Sequence, residues 1–392
     1  MRLVATCPEE TSPALAAELA ELGATDMRPA FRAIEFEAGP ALFYELHLRL
    51  RTASRLLRVI RQVPAHSPPM LRSQVRRIRW AELFDAQHAF AVECAGLDAG
   101  GAIPPKQLIT QVREGIREAF DAAGAGKPRI DTGDPKVIVV AHLARGRCTL
   151  SFDTTGKSLH KRGYRESGHP APLKETLAAA ILRFAGYDGT RPFLDPMCGS
   201  GTLAIEAAMI AVNKAPQIHR RRGEFAFEWL RGFDRALWRE TQDRVRLAKL
   251  DAPPAPVVAS DIGDAYVAMA RRNALRARVE KYIGFSTARV QDVQPPGEHG
   301  VLVTNLPYGD RIGGDDTQLG RLYEEFGDVL KQRFGGWTAA VLAADASPHR
   351  AIGLKPGRSI PLMNGSIPCR LLTFELYAGS RRRSRTLATT EA

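Results

Sequence analysis

Late in the chain, the run Asn305-Leu306-Pro307-Tyr308-Gly309 follows an apolar strand candidate, Gly300-Val301-Leu302-Val303-Thr304. An amide oxygen beside a backbone carbonyl can accept both hydrogens of an aromatic amine, which frees the nitrogen lone pair from ring conjugation and aims it at an electrophilic carbon. Asn305 and Leu306 supply those acceptors. Pro307 fixes φ and stiffens the loop, and Tyr308 offers a flat face to an extruded base, a contact worth roughly 1–3 kcal/mol. No strong base is required, because the amine becomes acidic only after it is methylated. Taken in isolation the run is equally an ordinary turn, since Asn, Pro and Gly all favour turns. Its place after a glycine loop and an acid-ended strand favours the chemistry. Asp310 and Arg311 follow, as candidates to orient the base or a backbone, or as a surface pair.

That loop is Asp195-Pro196-Met197-Cys198-Gly199-Ser200-Gly201-Thr202, between the strand candidate Pro192-Phe193-Leu194 and a helix expected from Leu203 to Val212. Open α/β sheets bind their ligands at such a junction. Gly199 and Gly201 allow a sharp turn and close backbone approach. The dinucleotide fingerprint is incomplete, with Ala204 where a third glycine would stand, and Asp195 would repel a pyrophosphate. An aminocarboxypropyl arm suits the acid better, so S-adenosyl-L-methionine is the expected cofactor. Pro196, Cys198 and Thr202 complete the loop. A second apolar strand, Pro256 to Ser260, runs into Asp261, placed to accept from ribose hydroxyls, and Ile262 could pack on adenine. Asp292 could accept from the adenine amine. Taken singly, Asp292 reads more readily as a cap or turn residue than as a ligand, and Asp261 less so.

The elements that must carry these groups read as two textures. Up to about residue 160 short strands and helices alternate: strands at Leu3–Ala5 and Ala33–Phe36, helical stretches from Ser12 to Leu22 and from near Ala41, then strands at Phe90–Cys94, Val137–Val140 and Cys148–Phe152. Among them a helix carries Leu108, Ile109, Val112, Ile116 and Phe120 as one apolar stripe, entered at Pro104-Pro105 and left at Gly124-Ala125-Gly126. Beyond it come the basic stretch Lys161-Arg162-Gly163-Tyr164-Arg165, then His169-Pro170-Ala171-Pro172, and a helix from Leu173 to Phe184. Buried strands alternating with helices follow, as in a parallel α/β sheet.

At 392 residues the chain exceeds a single core. Net charge is +12 with pI about 9.7, which points to a polyanionic partner. Five scattered cysteines, none at C-x-x-C spacing, argue against a disulfide framework and a zinc site, so no metal is expected. With no apolar run of spanning length and no extended apolar start, no membrane partner and a cytoplasmic location are expected.

Together, Asp195 to Thr202, Asp261, Asp292 and Asn305 to Gly309 resemble class I amino-methyltransferases. Asn-Leu-Pro-Tyr-Gly, with Lys161 to Arg165, Ala171 to Leu177, and Phe225 to Trp229 with Trp238, resembles the RlmL-type 23S rRNA guanine-N2-methyltransferases. The resemblance implies an α/β class I methyltransferase Rossmann-like sheet preceded by an α+β ferredoxin-like and THUMP RNA-binding region. The implied divisions are a ferredoxin-like unit at 1–45, a THUMP domain at 46–160, the methyltransferase at 161–380 and a basic tail at 381–392. It also implies a guanine in the peptidyl-transferase region of 23S rRNA as target, in free RNA or in a 50S assembly intermediate. The reacting amine must leave its pair, so the base is expected flipped or unpaired. Some members of that family carry a second, C-terminal methyltransferase domain, and this sequence ends after one, so a second modification is not expected. Arg162, Arg165, Arg220, Arg221, Arg222 and Arg311 are the candidate RNA contacts, with Arg231, Arg235, Arg239, Arg244 and Arg246 nearby. Each is equally a solvated surface charge taken singly. The competing readings are a THUMP-type tRNA guanine-N2-methyltransferase, whose motif more often reads Asn-Pro-Pro-Tyr, a DNA amino-methyltransferase, and a non-catalytic ribosome-assembly factor, which would not need the cofactor loop.

Overall fold

The computed structural model describes residues 1–97, 103–165, 173–308 and 316–377. Gly309, Asp310, Arg311, the His169–Pro172 stretch and the basic tail lie outside the described residues. In chain order the elements begin with β1 (Arg2–Thr6), α1 (Ser12–Glu21), β2 (Thr25–Ala30), β3 (Ala33–Glu37), α2 (Pro40–Arg49), β4 (Arg55–Pro64), α3 (Pro68–Arg76), β5 (Phe90–Leu97), α4 (Pro105–Ala122), β6 (Val137–Ala144) and β7 (Arg147–Asp153). They continue with α5 (Glu175–Phe184), β8 (Phe193–Asp195), α6 (Thr202–Ala211), α7 (Arg235–Leu247), β9 (Val257–Asp261), α8 (Asp264–Arg276), β10 (Ile283–Thr287), β11 (Val301–Asn305), α9 (Asp316–Arg333), β12 (Thr338–Ala344), β13 (Arg358–Asn364) and β14 (Ile367–Glu375).

The chain forms two units. The first holds Met1–Gly163, Glu175–Ala180 and Asn213–Leu250, and the second holds Tyr164–Lys174, Ile181–Val212 and Asp251–Ala392. In the first unit, strands from the ferredoxin-like and THUMP stretches join one sheet of order β2-β3-β1-β4-β7-β6-β5, parallel only between β5 and β6. Two apolar clusters pack on it. In one, the α4 stripe Leu108, Val112, Ile116 and Phe120 meets Trp80, Phe84 and Phe152. Gly115 lets α4 approach α3, since a Cβ there would lie 2.8 Å from the Val75 side chain. In the other, Leu3, Phe36, Phe43, Tyr44 and Leu46 pack with Ile218, Phe225, Phe227, Trp238 and Val245. The stretch that in sequence lies between β8 and β9 thus completes the core of the first unit. Its Arg220 binds the backbone there, donating to the carbonyls of Thr155 (2.9 Å), Lys157 (2.7 Å) and Ser158 (2.9 Å).

In the second unit the sheet order is β10-β9-β8-β11-β12-β14-β13, with the first five strands in that order parallel to one another and β14 antiparallel to both β12 and β13. The order reverses between β8 and β11, the place where open α/β sheets leave a crevice.

Candidate active site

Both expected groups sit at that reversal. β8 ends at Asp195 and β11 ends at Asn305, and the two strands pair directly, Phe193 with Val301 and Leu194 with Leu302. On the other side β8 pairs with β9, whose last residue is Asp261. Asp292 lies in a short turn beyond β10, the next strand, and is exposed.

The glycine loop is held on several sides. Cys198 N–H donates to the Ser260 carbonyl (2.9 Å) and Gly199 N–H to Asp261 Oδ2 (2.9 Å), while Asn273 Nδ2 of α8 donates to the Ser200 carbonyl (2.9 Å). Gly199 and Gly201 have φ of +51° and +83°. At Gly201 a Cβ would come within 2.8 Å of Ala270 Cβ, so only glycine lets α6 start this close to α8. At Gly199 nothing lies within 4 Å, so that backbone faces open space. Pro196, Cys198 and Thr202 are buried in the loop, and burial pushes the Cys198 thiol well above its ordinary range, which removes it as a nucleophile. The Thr202 hydroxyl accepts from Arg165 Nη2 (3.3 Å), which also binds the Leu173 carbonyl (2.7 Å). Arg165 thereby ties the basic stretch to the start of α6.

Asp195 is 1 % exposed and accepts the Met197 N–H at 3.3 Å. Burial pushes its carboxyl up to about 7, the charge of Asp261 adds to the rise, and the Thr304 hydroxyl and the Met197 N–H oppose it. A buried acid raised in this way is suited to a cationic group brought by a ligand. Asp261 already accepts Gly199 N–H and Gly263 N–H (3.1 Å), and its oxygens retain lone pairs for hydroxyl donors. Ile262, next in the chain, is 69 % exposed. These residues fit S-adenosylmethionine: an acid for the amino-acid end, an acid for the ribose, and an apolar side chain for the adenine.

At the amine clamp, Asn305 Oδ1 is buried and has no hydrogen-bond partner among the described residues. Leu306 is fully buried, and its N–H extends the ladder to the Leu342 carbonyl (3.0 Å). The Pro307 carbonyl accepts from Tyr323 Oη of α9 (3.1 Å). Tyr308, expected to offer a stacking face, is 7 % exposed, and its hydroxyl accepts from Asn364 Nδ2 at the tip of the β13–β14 hairpin (2.6 Å). Tyr323 and Asn364 were not among the sequence candidates. Asn364-Gly365 is a hairpin-turn signal, but a turn signal does not say which loop its side chain will reach.

The remaining candidates are dispersed. Arg162 belongs to the first unit, where it donates to the carbonyls of Leu159 and Arg51 (2.6 Å for the latter). Arg220 is tied to backbone as described, and Arg221 and Arg222 are exposed beside it. Among the described residues no group of three or more His, Cys, Asp and Glu is placed to hold a metal, and no helix is long and apolar enough to cross a membrane.

Comparison with known proteins matches residues 162–373 to the family described as RMKL-like, methyltransferase domain, residues 2–57 to the RlmL ferredoxin-like domain, and residues 66–153 to the THUMP domain. The chain belongs to the RlmK/L family of S-adenosylmethionine-dependent methyltransferases. A Synechocystis family member, described as a candidate RNA methyltransferase, is 35% identical over 92% of this chain and 93% of its own length. A Shewanella oneidensis member, the ribosomal RNA large subunit methyltransferase K/L, is 36% identical over 98% of this chain and 54% of its own. The chain therefore spans about half the length of that family member. Among solved structures, a methyltransferase-fold protein complexed with SAH superposes with a TM-score of 0.84 at 28% identity, covering 97% of this chain and 98% of the other.

Proposed function

We propose that this RlmK/L family member methylates the exocyclic amine of a guanine in large-subunit ribosomal RNA, forming N2-methylguanosine. One observation carries the reading: the buried acceptor Asn305 Oδ1, with no protein partner among the described residues, at the strand end beside the glycine loop. A buried acceptor without a partner costs about 1–3 kcal/mol, which a substrate N–H would recover. A ring nitrogen such as guanine N7 carries no hydrogen to give a pair of acceptors, whereas an exocyclic amine carries two. The choice of guanine rests on the RlmL-type resemblance and on the RlmL ferredoxin-like match over residues 2–57, and ribosomal RNA on the large-subunit name of the relatives. That substrate would place the activity in the cytoplasm.

Bound S-adenosylmethionine supplies a methyl group made electrophilic by its sulfonium. Asp195 would take the cofactor's amino group, Asp261 the ribose hydroxyls, and Ile262 and Asp292 the adenine face and amine. Asn305 Oδ1 and the Leu306 carbonyl would each accept one amine hydrogen, turning the nitrogen lone pair toward the transferable carbon. Tyr323 and Asn364 are positioning residues, holding Pro307 and Tyr308 so that the two acceptors stay in register. The proton released after transfer passes to water or a neighbouring acceptor. Because both amine hydrogens are engaged, the base must be out of its pair.

The test is methylation of large-subunit rRNA fragments by wild type and Asn305→Ala, with nucleoside mass analysis of the product. We expect N2-methylguanosine from wild type, a loss of about 10²–10³-fold in kcat for the variant with cofactor affinity unchanged, and a slower rate when the guanine is locked in a duplex. A product methylated at N7, or a variant of wild-type rate, would sink the clamp, and a product methylated on the adenine amine would refute guanine as the target.

A further inference from the structure

The α7 region of the first unit contains a cleft lined by Arg221, Arg222, Arg235, Arg239, Gln242 and Glu228 over a floor of Phe225, Phe233 and Trp238. The other arginines of this stretch have partners: Arg220, which also lines the cleft, binds carbonyls, Arg231 pairs with Asp85 (3.3 Å), Arg244 with Glu45 (2.9 Å) and Arg246 with Asp243 (3.0 Å). The guanidinium groups of Arg221, Arg222, Arg235 and Arg239 make no hydrogen bond or ion pair with a described residue, and all four side chains are exposed. The one acid lining the cleft, Glu228, accepts the Gly223 N–H (2.9 Å) and feels the charges of Arg222 and Arg235, so a single carboxyl faces four cations. Glu224, close by, pairs with Lys157 (2.9 Å) and accepts the Arg221 backbone N–H.

Helix polarity makes the arrangement costlier still. Asp234 caps α7 by accepting the Leu237 N–H (3.0 Å), which puts Arg235 at the first helical position, at the positive end of the helix dipole where cations are disfavoured, with Arg239 one turn on. Arg235, Arg239 and Gln242 share one helix face. Four exposed cations facing a single acid make the cleft electropositive, and an anion that joins them would form charge-assisted hydrogen bonds. The floor narrows the choice of anion. Phe225 and Trp238 are 2 % and 6 % exposed and sit in ring contacts with their neighbours, so they offer no open face for stacking a base, but they lower the local dielectric and strengthen charge pairing.

We infer that this cleft is a backbone clamp that grips the phosphodiesters of the RNA substrate without reading sequence. The inference rests on the RNA-directed function proposed above. Its ligand is the phosphate of a strand, held by fork-shaped guanidinium pairs as phosphate usually is.

The experiment uses the full chain and a fluorescent large-subunit rRNA hairpin, with affinity followed by anisotropy from 50 to 300 mM KCl and cofactor affinity followed by calorimetry. For Arg235→Ala/Arg239→Ala we expect RNA binding weakened about 10–100-fold at low salt, a salt slope shallower by about 2, and unchanged cofactor affinity as the check on folding. Arg235→Lys/Arg239→Lys should restore the slope with only part of the affinity, which a merely structural role would not do. A folded Ala variant with wild-type slope would overturn the clamp. So would inorganic phosphate binding that the variant abolishes while its RNA slope stays the same, since the cleft would then be a small-anion site. Wild type that binds RNA with the expected slope, loses it in the Ala variant, yet methylates no rRNA would leave the clamp standing and refute the proposed reaction.

Discussion

A carboxyl group 1 % exposed, accepting one backbone N–H at 3.3 Å, holds its proton to about pH 7, and Asp195 is that group. Its ordinary value is 3.8. Between those two values the folded protein keeps a proton that the unfolded chain has released, so stability falls as pH rises through the window and is lowest above it. The penalty is at most about 4 kcal/mol, at 1.36 kcal/mol per pH unit. We expect Asp195→Asn to unfold at higher urea than wild type at pH 8 in the absence of cofactor, with the difference shrinking toward pH 4. A pH-independent difference would contradict the raised carboxyl. By the same sign, cofactor affinity of wild type should rise with pH through about 7, because binding a cation needs the ionised form. Asp195, Asp261 and Asn305 were legible in the sequence because each ends an apolar run, and a strand end in an α/β sheet has a known use. Tyr323 and Asn364 were not, because a Tyr in an amphipathic helix and an Asn before Gly in a hairpin have local explanations that hide a long-range bond.

At the scale of elements, α9 shows how a helix seats the clamp. Gly327 packs so tightly on the turn His349–Ile352 that a Cβ there would fall 1.9 Å from the Ile352 carbonyl oxygen and 2.7 Å from its carbon. Gly→Ala in an exposed helix stabilises by up to about 1 kcal/mol. Here backbone would have to move, so Gly327→Ala should destabilise by about 1–3 kcal/mol or more in urea titration. It should also lower kcat at unchanged cofactor affinity, since α9 carries Tyr323 to the Pro307 carbonyl. A stabilised variant would show that the helix shifts freely. Elements with a strong period were read correctly: the α4 stripe, and the runs Val257–Ser260 and Val301–Thr304. The edge hairpin β13–β14 was not, since Pro361 and Pro368 interrupt the apolar runs that mark a strand. The seat of α7 was not legible either, because a periodic stripe says that a face is buried and not against what.

At the scale of the molecule, the order of residues along the chain and the grouping of residues in cores differ. Phe225, Phe227 and Trp238 belong with Phe43 and Tyr44, although roughly two hundred residues separate them. His47 lies in the same aromatic cluster, fully buried and bonded to the Phe43 carbonyl (2.7 Å) and Thr154 Oγ1 (3.0 Å), with burial lowering its pKa to about 3. A fragment of residues 1–163 therefore lacks one wall of this core. Hydrogen exchange should show α2 amides protected in the full chain and much less so in the fragment, with protection recovered on adding a 213–250 peptide. Equal protection in the fragment would mean that the aromatic wall is dispensable.

The same threading sets a timetable during synthesis. Once Gly163 has been made, the ribosome must add the chain through Leu250 before Phe225, Phe227 and Trp238 are all available, which at roughly 5–20 residues per second is a wait on the order of 5–20 s. Throughout that interval Phe43 and Tyr44 have each other and His47 but lack Phe227 and Trp238, while the second unit begins to emerge. The nascent chain is then open to holdase chaperones and to aggregation, and codon choice between residues 163 and 250 becomes a lever on yield.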